Sequence, residues 1–333
     1  MNSKSIIKQR TLGKEFMIRG KGLHTGLDAT VTFRPAPSDH GYKIRRIDLP
    51  SKPVINACAE NVASTDRGTV LSSNGVKVGT IEHALAALYA LEVDNCLIDI
   101  DSSEFPILDG SSKEYTLGIE RAGCIEQTEE RIYYEVDKRI EYVDPLTGSH
   151  MMLIPSDTFN VHVQVSFDST VLSVQSAYLK KMSDFTRNFS MCRTFVFIKE
   201  IEGLLQRGLI KGGDLDNAIV IHDHLIDQLA LDTLADIMGI PRKKIDKTGY
   251  IMSEPLRFPN EPARHKLLDV IGDLALTGRF IKGSVIAVRP GHRVNNLFAR
   301  EIVKDIRQKE IMCSDEIIRF SEDLDQHKAQ ITA

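Results

Sequence analysis

The chain has 333 residues, of which 42% are hydrophobic and 26% charged, which is globular composition with room for two ordinary domains. Forty-two Lys and Arg against 46 Asp and Glu leave a net charge of −4, with no basic run that would mark a nucleic-acid footprint. Trp is absent and aromatics reach only 6%, so the cores must be built from Leu, Ile and Val.

The first ten residues hold only Ile6-Ile7 between polar groups, too little for a signal peptide. The longest apolar run, around residues 84–91, is far short of the ~20 residues a membrane span needs. The five cysteines (58, 96, 124, 192 and 313) form no CxxC pair and fit reduced thiols. A cytoplasmic protein, not integral to a membrane, is therefore expected. In chain order, residues 28–33 alternate as a strand that Pro35 and Pro37 stop. Residues 69–71 and 76–78 flank Asn74-Gly75, a strong hairpin signal. Residues 81–91 read as a helix with Thr80 as its N-cap. Residues 95–100 follow as a buried strand, 105–111 as a loop and 113–122 as a second helix.

The charged stretch 126–131 is the expected boundary between an N-terminal domain (1–127) and a C-terminal one (128–305). Strands are expected at 132–136, 139–143 and 161–167, with helices near 198–207 and 227–238. Residues 261–277 make the strongest helix of this half, with Pro262 in its first turn and Gly278 at its stop. Residues 284–288 are a last strand, leading to a turn that carries His292 at its tip. Residues 306–333 read as a polar tail, loosely attached. Both halves mix strands and helices in α+β fashion. No fixed-period repeat is present, but the halves could share a topology.

Three patterns could carry chemistry. His265, Asp269 and Asp273 lie four apart and so stack on one face of the 261–277 helix. A His and a carboxylate at that spacing can reach one metal ion, though spacing alone favours an ordinary His–Asp pair. Glu82-His83 in a first helical turn offers a general base beside a metal ligand, as a hydrolytic zinc site needs. Glu82 could equally serve only the helix dipole while His83 packs. His292 on a loop would ordinarily be solvated; beside Asp273 it could be held protonated. Thr194 could donate to an oxyanion, a weak signal alone. Gly208 to Gly213 lacks the P-loop pattern, and no GxSxG elbow is present.

With these residues placed, the sequence resembles the UDP-3-O-acyl-N-acetylglucosamine deacetylases of lipid A biosynthesis. The matching fragments occur in family order from about residue 6 to about residue 300. They include Gly22-Leu23-His24-Thr25-Gly26, Phe33-Arg34-Pro35-Ala36-Pro37, Thr80-Ile81-Glu82-His83, Phe105-Pro106-Ile107-Leu108-Asp109-Gly110-Ser111, Arg193-Thr194-Phe195, the run from His265 to Asp273, and Gly291-His292. The resemblance implies two α+β domains, each a β-sheet layered against helices, with the active site between them. It implies one Zn2+, with Fe2+ as the alternative ion, on His83, His265 and Asp269. Glu82 is then the general base, His292 oriented by Asp273 the acid and oxyanion stabiliser, and Thr194 a further donor to the oxyanion. Lys266 would face the diphosphate of the UDP-sugar, with Phe195 and Phe167 against its nucleotide-sugar part. An insert in the second domain would form an acyl-chain passage that includes Ile201, Ile210 and Val220.

The implied protein is a monomeric deacetylase of a Gram-negative bacterium, acting on UDP-3-O-(3-hydroxyacyl)-N-acetylglucosamine to release acetate. Some relatives carry a fused dehydratase, and nothing after residue 300 resembles one. Thr69 stands where some members have a cysteine near the metal. Two other readings stay open on residues alone: a zinc deacylase of a different acylated amino sugar, and a metal-free sugar-nucleotide binding module.

Overall fold

The same sheet is built twice. The computed structural model describes residues 6–245 and 247–331, and from residue 313 onward the helical backbone alone. In the first half, strands Phe16–Lys21, Asp28–Pro35, Cys96–Ile100, Tyr42–Arg46 and Val54–Asn56 lie side by side in that spatial order. In the second half the order is Ile140–Val143, His150–Ile154, Ser284–Val288, Asn160–Ser166 and Val174–Leu179. Numbered along the chain, both sheets read 1-2-5-3-4. In both, the central fifth strand runs parallel to the third, while the other neighbours are antiparallel. The shared topology anticipated from the two halves is therefore present.

Among the described residues there are seven helices: α1 (Glu82–Ala90), α2 (Lys113–Ala122), α3 (Phe185–Asn188), α4 (Ile198–Gln206), α5 (Gln228–Met238), α6 (Glu261–Leu274) and α7 (His292–Ile331). In each half the fourth strand leads through a three-stranded excursion into a helix, α1 or α6, which returns the chain to the central strand. The excursion is Val62–Ser64, Val70–Ser73 and Val76–Val78 in the first half. In the second it is Phe195–Phe197, Ile219–His222 and Gly249–Ile251, with α4 and α5 between the strands. A second helix, α2 or α7, follows the central strand. The architecture is thus two α+β units, each a sheet layered on helices, as expected.

The two returning helices pack against one another and carry the site. Every side chain of α1 is buried, as its run Ala-Leu-Ala-Ala-Leu-Tyr-Ala requires of a helix apolar all round. On α6 only Arg264 and Lys266 escape full burial. A Cβ placed on Gly272 of α6 would lie 2.1 Å from the Glu82 carbonyl oxygen. The missing side chain is what lets the two backbones touch. One hydrophobic core runs beneath both sheets, and a separate cluster (Ile198, Ile201, Leu204, Ile210, Val220, Leu231) fills the second excursion.

Several expected local features differ. The charged stretch 126–131 lies largely within a strand, Cys124–Glu130, paired antiparallel with Lys8–Leu12. Thr80 is not the α1 cap: Ile81 holds that place, and Thr80 sits at φ 56° with its hydroxyl donating to Glu104 Oε1 at 2.8 Å. His292 is not on a turn tip but is the first residue of α7. That helix buries Val294, Phe298, Ala299, Ile302 and Ile306 and runs on through residue 331, so the segment expected as a tail continues it. The Asn74-Gly75 hairpin is as expected, with both residues at positive φ. Strands His150–Ile154 and Val174–Leu179 had no clear signal.

Gly272→Ala tests the helix contact. In an isolated helix this change gains up to about 1 kcal/mol. Here the methyl must displace backbone, and we expect a loss of about 1–3 kcal/mol or more, read as a lower urea midpoint. An unchanged or higher midpoint would show that α1 and α6 do not need this approach.

Candidate functional site

The first turn of α1 presents His83, and one face of α6 stacks His265 and Asp269. The three residues are buried, and one ligand atom from each lies within 4.8 Å of the others. His83 Nε2 is 3.8 Å, and His265 Nε2 3.4 Å, from Asp269 Oδ1. His265 Nδ1 lies 3.0 Å from the Cys192 carbonyl, a distance at which Nδ1–H donates and the Nε2 lone pair faces Asp269. Burial first, with the neighbouring charges dividing between the two directions, pushes His83 down to about 3 and His265 below its ordinary value. Burial would raise Asp269, but His265, Lys266, His292 and His83 outweigh it and hold the carboxyl far below its usual range. Two neutral imidazoles and one anion result. Asp269 Oδ1 is buried without a hydrogen-bond partner, which is costly unless a cation meets it. This donor set fits a divalent ion with one open position.

A second acidic–basic pair stands beside the triad. Glu82 Oε2 accepts from the Thr69 backbone N–H at 3.1 Å, while Oε1 is 3.8 Å from His292 Nε2. Burial raises the Glu82 carboxyl to about 7, His292 opposing and Asp273 and Asp269 adding. His292 Nδ1 meets Asp273 Oδ2 at 3.0 Å, leaving Nε2 3.8 Å from Asp269 Oδ2. Burial alone would lower His292; Asp273, Asp269 and Glu82 together lift it to about 9. Asp273 is itself fixed by the Thr69 hydroxyl at 2.5 Å and Asn295 Nδ2 at 2.8 Å. Glu82 and His292 are thus positioned to exchange protons with anything bound at the triad.

The triad opens onto a polar cleft of about 510 Å³ lined by Thr194, Phe195, Phe167, Lys266, Arg289 and His292 among others. Phe167 meets Phe195 edge-on at 5.7 Å, and Phe195 meets the His265 ring at 6.4 Å. Lys266 Nζ lies 2.8 Å from Asp269 Oδ2 and 5.4 Å over the Phe195 ring. Beside the cleft is an apolar pocket walled by Ile201, Ile210 and Val220, and the two share Leu23, Arg67, Thr194 and Phe195. Twelve of the thirteen expected site residues therefore line one polar cleft or one apolar annex, and the thirteenth, Asp273, lies buried behind His292.

Four supporting residues were not anticipated in these roles. Thr69 ties Glu82 to Asp273, and Asn295 steadies Asp273. Glu104, buried, accepts from His24 N–H, Thr25 N–H and the Thr25 and Thr80 hydroxyls, bracing the 22–26 loop. Arg193, fully buried, pairs with Glu261 at 2.9 Å and donates to the Pro255 carbonyl, so it anchors Thr194 to the start of α6. None of these positions has a local pattern. Their partners lie from 13 to 204 residues away, which no spacing rule reaches.

The titrating pair makes a stability prediction for the ion-free protein. His292, raised from 6.5 to about 9, contributes stability that is present below pH 6.5 and lost as pH rises through 9. Glu82, raised from 4.5 to about 7, keeps its proton longer folded than unfolded, which also lowers stability with rising pH. Chelator-treated protein should lose on the order of 1 kcal/mol or more across this range, and His292→Asn should flatten the fall. A wild-type curve that is level or rises there contradicts the assignment.

Comparison with known proteins adds to the geometry. Residues 9–233 and 244–304 match the family described as LpxC, UDP-3-O-acyl N-acetylglycosamine deacetylase. A protein of Bacteroides thetaiotaomicron named bifunctional enzyme LpxC/FabZ is 56% identical over 306 residues, which is 92% of this chain and 66% of that protein. A protein of Porphyromonas gingivalis with the same name is 55% identical over 303 residues, again with 66% of its length covered. The chain thus spans just under two thirds of the bifunctional relatives. A Myxococcus xanthus protein named UDP-3-O-acyl-N-acetylglucosamine deacetylase is 36% identical over 302 residues, covering 90% of this chain and 88% of that one.

Proposed function

The chain belongs to the UDP-3-O-acyl N-acetylglycosamine deacetylase family, and on that premise we propose that it removes the N-acetyl group of UDP-3-O-(3-hydroxyacyl)-N-acetylglucosamine. The products are acetate and the free glucosamine amine, the committed step of lipid A biosynthesis in a Gram-negative cytoplasm. The observation that carries this reading is the buried triad with Glu82 and His292 beside it, opening onto a cleft with an apolar annex. One chain supplies every group, so a monomer suffices. Residues 1–127 bring Glu82 and His83, and residues 128–305 bring the rest.

His83, His265 and Asp269 hold the ion, Zn2+ by the chemistry of a two-nitrogen, one-oxygen set, with Fe2+ accepted by the same donors. The bound ion supplies Lewis acidity toward the acetamide carbonyl and brings the pKa of water near 7. Glu82, with a carboxyl tuned to about 7, takes the proton from the attacking water at Oε1. His292, kept charged by Asp273, faces the same space through Nε2. It stabilises the negative charge that develops on the carbonyl oxygen and then gives its proton to the departing amine. Thr194 lies in the wall of the cleft and donates its hydroxyl to that oxygen. Phe195 and Phe167 offer flat apolar faces to the nucleotide-sugar part, and Lys266 offers its ammonium to the diphosphate. Ile201, Ile210 and Val220 shield the acyl chain from water. Among the described residues no helix is long and apolar enough to cross a membrane.

Acetate release from the UDP-sugar by wild type and Glu82→Ala tests the mechanism. We expect a fall of roughly 10²–10⁴-fold, with about one ion per chain retained. Normal turnover by Glu82→Ala would overturn the assignment of the base. His265→Ala should instead lose the ion together with activity.

A further inference from the structure

The bend that leads into Thr69 is held from outside itself. Residues 65–68 join strands Val62–Ser64 and Val70–Ser73 of the first excursion. Among the described residues, none of these four makes a backbone–backbone hydrogen bond. Arg67 adopts φ 67°, a left-handed conformation that is unfavourable for a residue with a side chain. Yet the bend runs hard against the site. A Cβ on Gly68 would lie 3.1 Å from Glu82 Oε1, and the next residue, Thr69, binds both Glu82 and Asp273. A segment with no ladder of its own needs another restraint to keep that position.

The restraint is ionic and comes from the other half. Arg67 reaches Glu200 of α4 through both terminal nitrogens, at 3.0 and 2.9 Å. One residue earlier, Asp66 Oδ2 accepts from Arg207 Nη1 at 2.7 Å, Arg207 being the C-cap of the same helix. The two pairs have opposite polarity, so a slipped register would set like charges together. Asp66 and Arg67 line the catalytic cleft, while Glu200 and Arg207 line neither the cleft nor the annex. Each pair is partly exposed, hence individually weak and screened by salt. Two across one seam bias the bend without locking it.

We propose that Asp66, Arg67, Glu200 and Arg207 are positioning residues for the reaction. Their two bridges clasp the excursions of the two halves together over the cleft and so hold Thr69 against Glu82 and Asp273. The inference rests on the deacetylase reading for the reaction served, and on the ion pairs themselves for the clasp.

The test compares the zinc-loaded full chain with its double variant Glu200→Arg/Arg207→Asp, which breaks both bridges outside the cleft and leaves the net charge unchanged. Amide deuterium exchange of residues 65–70 should be about ten-fold faster or more in the variant. Raising NaCl from about 0.05 M to about 0.5 M should speed that exchange in wild type only. For acetate release, kcat should fall about ten-fold or more with KM changed less than about three-fold, the signature of a misplaced base rather than lost binding. Adding Asp66→Arg and Arg67→Glu rebuilds both bridges with inverted charge and should bring exchange back to within about three-fold of wild type. Exchange unaltered in the double variant, or faster exchange with kcat unaltered, would overturn the proposal. Should that variant not fold, wild-type exchange indifferent to salt overturns it instead. Exchange that behaves as expected, with no acetate release even from wild type, would sink the deacetylase reading and leave the clasp standing.

Discussion

The structure turns on the contact between α1 and α6. Gly272 lies under the Glu82 carbonyl so closely that no side chain fits between them. That approach brings His83, in the first turn of one helix, against His265 and Asp269 on the other. It also buries five titratable groups within a few ångströms. Each half of the molecule supplies the same helix from the same place in the same sheet, so the site lies where two equivalent elements meet. A separation of α1 and α6 by one side-chain layer would leave three unrelated polar residues, each costly to bury alone.

Burying so many charges together sets their protonation. Burial penalises every charged form, and the pattern of neighbours decides which group yields. Asp269, surrounded by His265, Lys266, His292 and His83, stays ionised. Glu82, with two other carboxylates near it, is pushed up to about 7, and His292, facing three carboxylates, up to about 9. The result is a carboxyl near neutrality beside a charged imidazole, the division of labour that the proposed amide hydrolysis needs. Thr69, Asp273 and Asn295 hold the geometry of both, although none of them lies in the triad.

Much of this was readable in the sequence, for identifiable reasons. The α6 pattern survives because its polar residues repeat every four and its apolar ones fill the remaining face. The Asn74-Gly75 hairpin follows from local φ preferences, as does the αL cap of α5 at Gly239, while Gly278 caps the 3-10 turn that follows α6 rather than α6 itself. Thr80 misled because Thr is a common cap; a distant carboxylate, Glu104, instead holds it in the left-handed region. His292 read as a loop residue because Pro290-Gly291 resembles a turn, when it is the start of a helix. Strands such as His150–Ile154 were hidden because their partners come from far along the chain. The family resemblance, not spacing, joined His83 to the α6 pair, since residues 83 and 265 are related only by the fold.

The central claim is that His83, His265 and Asp269 form one ion site at the helix contact. Anomalous diffraction from crystals of the zinc-loaded protein, recorded on both sides of the zinc absorption edge, tests it most directly. The account predicts one strong zinc peak bounded by these three side chains and absent from His265→Ala crystals. A zinc-loaded crystal with no peak there, or with its only ordered zinc elsewhere, would contradict it.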